Sequence, residues 1–251
     1  MIQLMSAREL DVMGEGGRIL AATLKVLSNA VRPGISTAEL DRIAEDFIKS
    51  HPGASPAFKG LYGFPASVCI SVNDEIVHGI PSPKRVLREG DIVSLDFGVK
   101  FKGLFTDAAL TVPVGKVDPE SERLMATAKE ALAAGIAAAV AGNHTGDIGH
   151  AIHEVVAKAG YTTADDLVGH YVGYQPHGDV QVPNVGKPKR GTRLMPGLTI
   201  AIEPMVNQGT SRTRTLPDKW TVVTGDGRRS AHFEHTVAIT DAGPRVLTAA
   251  A

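Results

Sequence analysis

The stretch from Asp91 to Asp107, DIVSLDFGVKFKGLFTD, limits what this chain can become more than any other. Ile92, Val93, Leu95, Phe97 and Val99 suit a pleated, buried strand, and Leu104 and Phe105 begin a return strand. Lys102-Gly103 is the turn between them, since glycine tolerates the positive φ of a two-residue hairpin loop. With that loop, Asp96 lies opposite Ala109, and Asp107, two residues from Ala109, points to the same side. Two carboxylates then converge on a strand pair otherwise built for burial. Like charges that close raise each other's pKa and invite a cation between them, usually a divalent metal. The other reading is two solvated aspartates on a half-exposed hairpin.

A length of 251 residues admits one large domain or two small ones. The 43% hydrophobic and 21% charged content is that of an ordinary core-forming protein. A formal net charge of −1 argues against general binding to nucleic acid or anionic membranes. Cys69 is the only cysteine, which excludes an intrachain disulfide and a Cys-x-x-Cys zinc module and points to a reducing compartment. The opening MIQLMSARELDVM is mixed in charge, unlike a signal peptide. The most apolar run, Ala126 to Ala141, is interrupted by Lys129 and Glu130 and is too short to span a bilayer. The expectation is a soluble, cytoplasmic protein.

Taken in order, Ser6 caps a helix running to about Ala30, with Leu10, Met13, Leu20, Leu24 and Leu27 at helical spacing. Gly14, Gly16 and Gly17 resemble a phosphate loop only superficially, because no strand precedes them; they read as glycines at a close helix contact. After Arg32-Pro33-Gly34, Ser36-x-x-Glu39 is a capping box that opens a helix to about Lys49. Pro52 to Pro65 is a connection, Ser67 to Val72 a strand and Asn73-Asp74 a turn. Beyond the hairpin, Asp118-Pro119 starts a helix to about Val140, and Thr145 leads another ending near Ala159. Gly34, Ser36, Thr37, Glu39, Leu40, Phe47 and Ile48 align at constant offset with Gly142, His144, Thr145, Asp147, Ile148, Val155 and Val156. The chain thus repeats one plan: long helix, glycine break, Thr-capped helix, strands.

Each half also carries an imidazole followed by two acids: His78, Asp96 and Asp107, then His170, Glu203 and Glu234. Leu198 to Val206 reads as an apolar strand holding Glu203, and His232 to Thr240 as one holding Glu234, with a further strand over Lys219 to Thr224. A lone acid in a buried strand is costly unless it is paired or metal-bound. Four carboxylates from four strands, with His170, make a donor set suited to two divalent ions.

The chain resembles the type I methionine aminopeptidases along nearly its whole length. The strings that carry the resemblance are GFPASVCISVNDEIVHGIP around His78, DIVSLDFG to FTD, Gly169-His170 with His177 seven residues on, AIEP around Glu203, and WTVVTGDGRRSAHFEHTVAIT around Glu234. The resemblance implies an α/β protein of the α+β type with the pita-bread fold: two pseudo-symmetric halves, a curved, mainly antiparallel sheet, and helices on its outer face. It implies one catalytic domain over residues 1–251, with halves at about 7–115 and 118–245. It places metal ligands at Asp96, Asp107, His170, Glu203 and Glu234, with Asp107 and Glu234 bridging two ions that could be Fe, Mn, Co or Zn. Glu203 is then also the proton shuttle to the attacking water, His177 the donor to the scissile carbonyl, and His78 the contact to the peptide nitrogen beyond it. The implied reaction is removal of the N-terminal methionine from nascent proteins by a cytoplasmic monomer.

The implied side-chain pocket is formed by Phe64, Cys69 and Trp220, with Phe58, Leu61 and Pro176 departing from residues common in bacterial relatives, and with Gly178-Asp179-Val180 in place of an acidic pair and proline. Ordinary core packing is the alternative for Phe58, Leu61, Phe64 and Trp220. Two rival functions stay open. Aminopeptidase P and prolidase share the fold and the ligands but usually carry an extra N-terminal domain, for which this chain has no room. A ribosome- or polypeptide-binding relative would commonly have lost the ligands. The basic residues Lys187, Lys189, Arg190 and Arg193 could touch ribosomal RNA or form a solvated loop.

Overall fold

The computed structural model describes residues 2–249; Met1, Ala250 and Ala251, which the single-domain expectation includes, lie outside it. Four helices form where caps and periodicity coincide: α1 (Ala7–Ala30), α2 (Thr37–Lys49), α3 (Pro119–Ala138) and α4 (Thr145–Lys158). Ser6 and Ser36 each form a reciprocal capping box, with Glu9 and Glu39 respectively. Asp118 accepts from the Ser121 amide at 2.9 Å at the start of α3. At α4 the cap is not Thr145 but His144, whose amide donates to the Asp147 carboxylate at 2.7 Å. Thr37 and Thr145 are the first residues inside their helices, because Ser36 and His144 still have extended backbones. Gly34 and Gly142 precede these helices with φ of 88° and 93°.

The strands are β1 (Ala54–Pro56), β2 (Val68–Val72), β3 (Glu75–Val77), β4 (Ile92–Phe101), β5 (Leu104–Pro113), β6 (Thr162–Thr163), β7 (Gly169–Tyr171) and β8 (Gly178–Val182). They continue as β9 (Thr199–Ile202), β10 (Met205–Asn207), β11 (Thr213–Thr215), β12 (Val222–Thr224), β13 (Ser230–His232), β14 (Glu234–Thr240) and β15 (Gly243–Val246). Antiparallel pairing gives a central sheet in the order β1-β4-β5-β14-β9-β7-β8, with β2 also on β4 and β15 also on β14. Lys102 and Gly103 form the β4–β5 turn with φ of 49° and 88°, and Asp96 pairs with Ala109 as the sequence predicts.

The helices cover one face of this sheet. Leu20, Leu24, Leu27, Leu40 and Ile48 meet Ile70, Leu95 and Phe97 in one apolar cluster. Leu124, Leu132, Ile148, Ile152 and Val156 meet Ile200, Ile202 and Val237 in another. Because strand side chains alternate, burying Ile70, Leu95 and Phe97 under helices turns Cys69 and Asp96 to the opposite, concave face.

Three expected elements differ. The strand from Leu198 to Val206 is two strands, β9 and β10, separated by Glu203-Pro204. The strand from His232 to Thr240 is likewise split at Phe233 into β13 and β14. At Glu203-Pro204 the chain leaves the central sheet for a three-stranded one, β13-β10-β6, and at Phe233 it returns from it; Pro204 has no amide to continue a ladder. Strand β12 begins only at Val222, because Asp218 accepts from the Trp220 and Thr221 amides at 2.9 Å each and closes a turn there. The connection 52–65 contains β1 and a single 3-10 turn, Leu61–Gly63.

Gly17 is a close-contact glycine, as its position in a helix suggested: a Cβ there would lie 2.0 Å from the Leu247 carbonyl oxygen. Gly17→Ala is therefore expected to lower stability by about 1–3 kcal/mol through overpacking, read as a reduced urea midpoint with unchanged slope.

Candidate metal centre

One transverse row of residues crosses the concave face. Cys69 on β2 pairs with Asp96 on β4, Asp96 with Ala109 on β5, and Ala109 with Glu234 on β14. The methyl group of Ala109 leaves room between the two acids. Extending the β14–β9 register by one residue beyond His235↔Ile202 brings Glu203 opposite Glu234. Asp107 lies two residues from Ala109 on the same face. His170 on β7 completes the set, its Nε2 3.4 Å from Glu203 Oε1 and 4.0 Å from Asp107 Oδ2.

Several of these side chains are held from behind. His170 Nδ1 lies 2.9 Å from the Tyr171 carbonyl, which makes it the protonated nitrogen and turns a lone pair at Nε2 toward the acids. The Asp107 amide donates to Thr236 Oγ1 at 2.8 Å, and that hydroxyl donates back to the Asp107 carbonyl at 2.7 Å. Asn184 donates from Nδ2 to the Glu203 carbonyl at 3.1 Å, which steadies the break in which Glu203 sits.

The electrostatics are those of four carboxyl groups crowded together out of solvent. Burial, then the neighbouring carboxylates, raises the pKa of Asp96, Glu203 and Glu234 well above the ordinary range, and burial raises Asp107 to about 7. Burial followed by His177 lowers His170 and His78 to about 4, while burial lowers His177. Asp96 Oδ1, Asp107 Oδ1 and Glu234 Oε1 are buried and have no hydrogen-bond partner. Two donor groups, His170–Glu203–Glu234 and Asp96–Asp107–Glu234, each bring their ligand atoms within 4.8 Å of one another and share Glu234. A third, Asp107–His170–His177, overlaps both. Oxygen-rich donors with imidazole, and orphaned buried oxygens aimed at one another, fit divalent cations.

Beside the acids is a cavity of about 290 Å³ lined by Phe58, Leu61, Tyr62, Phe64, Cys69 and Trp220, with the histidines 78, 170 and 177 at its acidic end. Phe64 and Trp220 meet edge to face at 5.1 Å between ring centroids. Gly98, opposite Asp107, makes room for Phe58: a Cβ there would lie 2.7 Å from the Phe58 ring. The His177 ring stacks against Phe58 and Tyr62 at 6.4 and 6.2 Å, and its centroid lies 4.5 Å from that of His170. His78 adopts φ of 60°, a strained value for a residue with a Cβ, and faces Trp220.

The structure thus gathers Asp96, Asp107, His170, Glu203, Glu234, His78, His177 and the expected pocket residues Phe58, Leu61, Phe64, Cys69 and Trp220 around one cavity. Pro176 is not among the residues lining it, and Gly178, Asp179 and Val180 face a separate polar groove beside Tyr171. Sequence reasoning missed Tyr62, whose left-handed backbone in a Gly-rich loop carries no local cue to the site. It also missed His232, whose ring lies against Glu203 and Glu234. The signal for His232 was present, since a residue two before Glu234 in an extended segment points the same way.

A row of acids at the seam of a curled antiparallel sheet, with helices only on its convex side, defines a metallohydrolase. The chain belongs to metallopeptidase family M24, whose model matches residues 11–241, and its kinship within that family is with the type 1 methionine aminopeptidases. It is 51% identical over 248 residues to a methionine aminopeptidase of Clostridium perfringens, covering 99% of both chains. It is 48% identical to methionine aminopeptidase 1 of Mycobacterium tuberculosis, covering 97% of this chain and 93% of that one. Its structure matches the methionine aminopeptidase of Thermotoga maritima with a TM-score of 0.96 at 40% identity, over 99% of each chain. The prolidase of Pyrococcus furiosus, at 21% identity and a TM-score of 0.80, shares the fold.

Because burial holds protons on these acids, a cation must displace them to bind. Apparent affinity for Mn²⁺ is expected to rise with pH, about tenfold per pH unit for each proton displaced, with the slope falling by one proton above the Asp107 pKa of about 7. Calorimetric titration of ion-free protein at a series of pH values measures this; a flat profile would count against the buried acids as ligands.

Proposed function

We propose that this chain removes the N-terminal methionine from nascent polypeptides by hydrolysis at a centre of two divalent ions. The observation that carries the proposal is the sharing of Glu234 by two donor groups at the end of an apolar cavity walled by aromatic rings and a thiol. Asp96 and Asp107 would hold one ion and His170 with Glu203 the other, with Asp107 and Glu234 serving both. Fe, Mn, Co and Zn all suit such donors. When bound, the ions supply Lewis-acid polarisation of the carbonyl and of water.

The chain's own residues do the rest. Phe58, Leu61, Phe64, Cys69 and Trp220 receive the flexible thioether, which packs well against aromatic walls. The free α-amine of the substrate is drawn to the carboxylate end, which limits release to the first residue. Glu203 takes the proton of the attacking water. His177, held between Phe58, Tyr62 and His170, donates to the carbonyl oxygen as charge develops there. His78 contacts the nitrogen beyond the scissile bond.

The chain acts as a monomer, one catalytic unit built from halves at about 7–115 and 118–245. Similarly capped helices, each preceded by a left-handed glycine, support that division. A cytoplasmic setting is supported by the lone buried thiol of Cys69, together with the absence, among the described residues, of any helix long and apolar enough to cross a membrane. Lys187, Lys189, Arg190 and Arg193 are exposed on a loop fastened to the start of α4 by the Gly146 amide on the Arg190 carbonyl and the Lys189 amide on Asp147. A rigid basic loop of this kind suits ribosomal RNA near emerging chains.

A peptide panel varied at the first residue, assayed at several metal concentrations, should show methionine released in preference to all others; release only before proline would favour an aminopeptidase P-like enzyme instead. Glu203→Gln should lower kcat by about 10²–10⁴-fold, and His177→Ala by about 10²–10³-fold, in steady-state assays of the same peptides. Neutralising the four basic loop residues should weaken salt-sensitive pelleting with ribosomes while leaving peptide hydrolysis intact. Unchanged pelleting would remove the ribosome contact.

A further inference from the structure

His232 has no part in the scheme above, yet its side chain is among the most enclosed polar groups in the molecule, at 1% exposure. Neither ring nitrogen has a hydrogen-bond partner. Its Nε2 lies 3.6 Å from Glu203 Oε2 and 3.8 Å from Glu234 Oε2. The ring is held there by its main chain. The His232 amide donates to Thr111 Oγ1 at 2.8 Å, and Thr111 Oγ1 donates to the His232 carbonyl at 2.9 Å. Thr111 Oγ1 is in turn 2.8 Å from Ser94 Oγ, inside the β4–β5 hairpin that carries Asp96 and Asp107. On the other side His232 pairs with Met205 on β10, immediately past the Glu203-Pro204 break. The residue is therefore tied to both segments that carry the acids.

The oxygens it approaches are informative. Glu203 presents Oε1 to His170 and Oε2 to His232, so each of its oxygens faces a different imidazole. Glu234 presents Oε2 to His232, while its Oε1 is buried without a partner. A carboxylate that serves a cation has no proton to offer, so the nitrogen facing it must be the one that carries hydrogen.

We propose that His232 is a positioning residue of the metal centre, donating from Nε2–H to Oε2 of Glu203 and of Glu234 and thereby fixing Oε1 of both as the atoms presented to the ions. The inference rests on the dinuclear reading of the site. Contacts of 3.6 and 3.8 Å are longer than a hydrogen bond, so the proposal requires the ring and the two carboxylates to close by about 0.5–1 Å. A neutral donor shared by two like-charged side chains relieves their repulsion without competing for the cation. It also selects one oxygen of each, which a purely apolar residue of the same size cannot do. Partners of this kind, one layer behind the ligands, typically govern metal affinity by about 10–100-fold.

The test uses full-length, ion-free wild type, His232→Gln, His232→Leu and His232→Asn, titrated with Mn²⁺ by calorimetry and with Co²⁺ by visible absorption. Glutamine carries an amide donor out to the reach of Nε2; leucine has none, and asparagine falls short. The expected result is wild-type-like affinity and Co²⁺ spectrum for His232→Gln. For His232→Leu and His232→Asn, affinity should fall by about 10–100-fold with an altered spectrum, and kcat should fall with KM little changed. Thermal unfolding of the ion-free proteins should not follow that order, as it would if the ring only filled space. Should His232→Leu fold poorly, the comparison of glutamine with asparagine decides alone. Equal affinity across all variants, or a glutamine variant as impaired as leucine, overturns the proposal. A wild type that takes up no divalent ion instead overturns the dinuclear reading on which it rests.

Discussion

Mutual repulsion among Asp96, Asp107, Glu203 and Glu234 is the constraint on which the rest of this molecule depends. Each is almost entirely enclosed, and burial together with its neighbours pushes the proton affinities of three of them far up, with the fourth at about 7. A chain that buries four carboxylates in one place must neutralise them with protons or with a cation. The imidazoles of His78, His170, His177 and His232 do not supply the missing charge, because burial lowers the pKa of each. What remains is a site with strong donors and no internal counter-charge, which is the electrostatic definition of a cation centre.

The fold serves that concentration of charge by dividing the work between two faces of one sheet. The convex face is closed by four helices and two apolar clusters, which supply the stability. The concave face is then free to be costly. Strict alternation along β4 and β5 turns Asp96 and Asp107 inward, and register alone carries the row across to Glu234. Small residues at Ala109 and Gly98 belong to the site as well, since Ala109 stands between Asp96 and Glu234 and a side chain at Gly98 would occupy the space of Phe58.

Next to the acids is the cavity. Phe58, Phe64 and Cys69 are buried, and Leu61 and Trp220 pack against them, so one end of the cavity is apolar and the other carries the histidines and acids. On the proposed function, an apolar first side chain would sit at one end and a free amine at the other. Tyr62, exposed and stacked on His177, stands at the boundary between the two.

Much of this was legible in the linear chain, for local reasons. Helix caps are short-range, so Ser6, Ser36 and Asp118 announce their helices, and a Lys-Gly pair with positive φ determines the hairpin register that aims Asp96 and Asp107 together. The strings around His78, His170, Glu203 and Glu234 were distinctive enough to mark the family by resemblance, and the residues they pointed to gather around one cavity. Other features were decided only in three dimensions. An apolar run such as LTIAIEPMV looks like one strand, and nothing within it reveals that its two ends pair with different partners, which is what lifts Glu203 out of the ladder. Pro176 and the Gly178–Val180 segment stood out by resemblance as departures bearing on the pocket, but Pro176 does not line the cavity and β8 carries the segment toward another groove. The enclosure of His232 depends on contacts with β5 and β10, far from it along the chain. Turns and caps are written in a few adjacent residues; which face a distant strand presents, and to whom, is settled when the whole sheet closes.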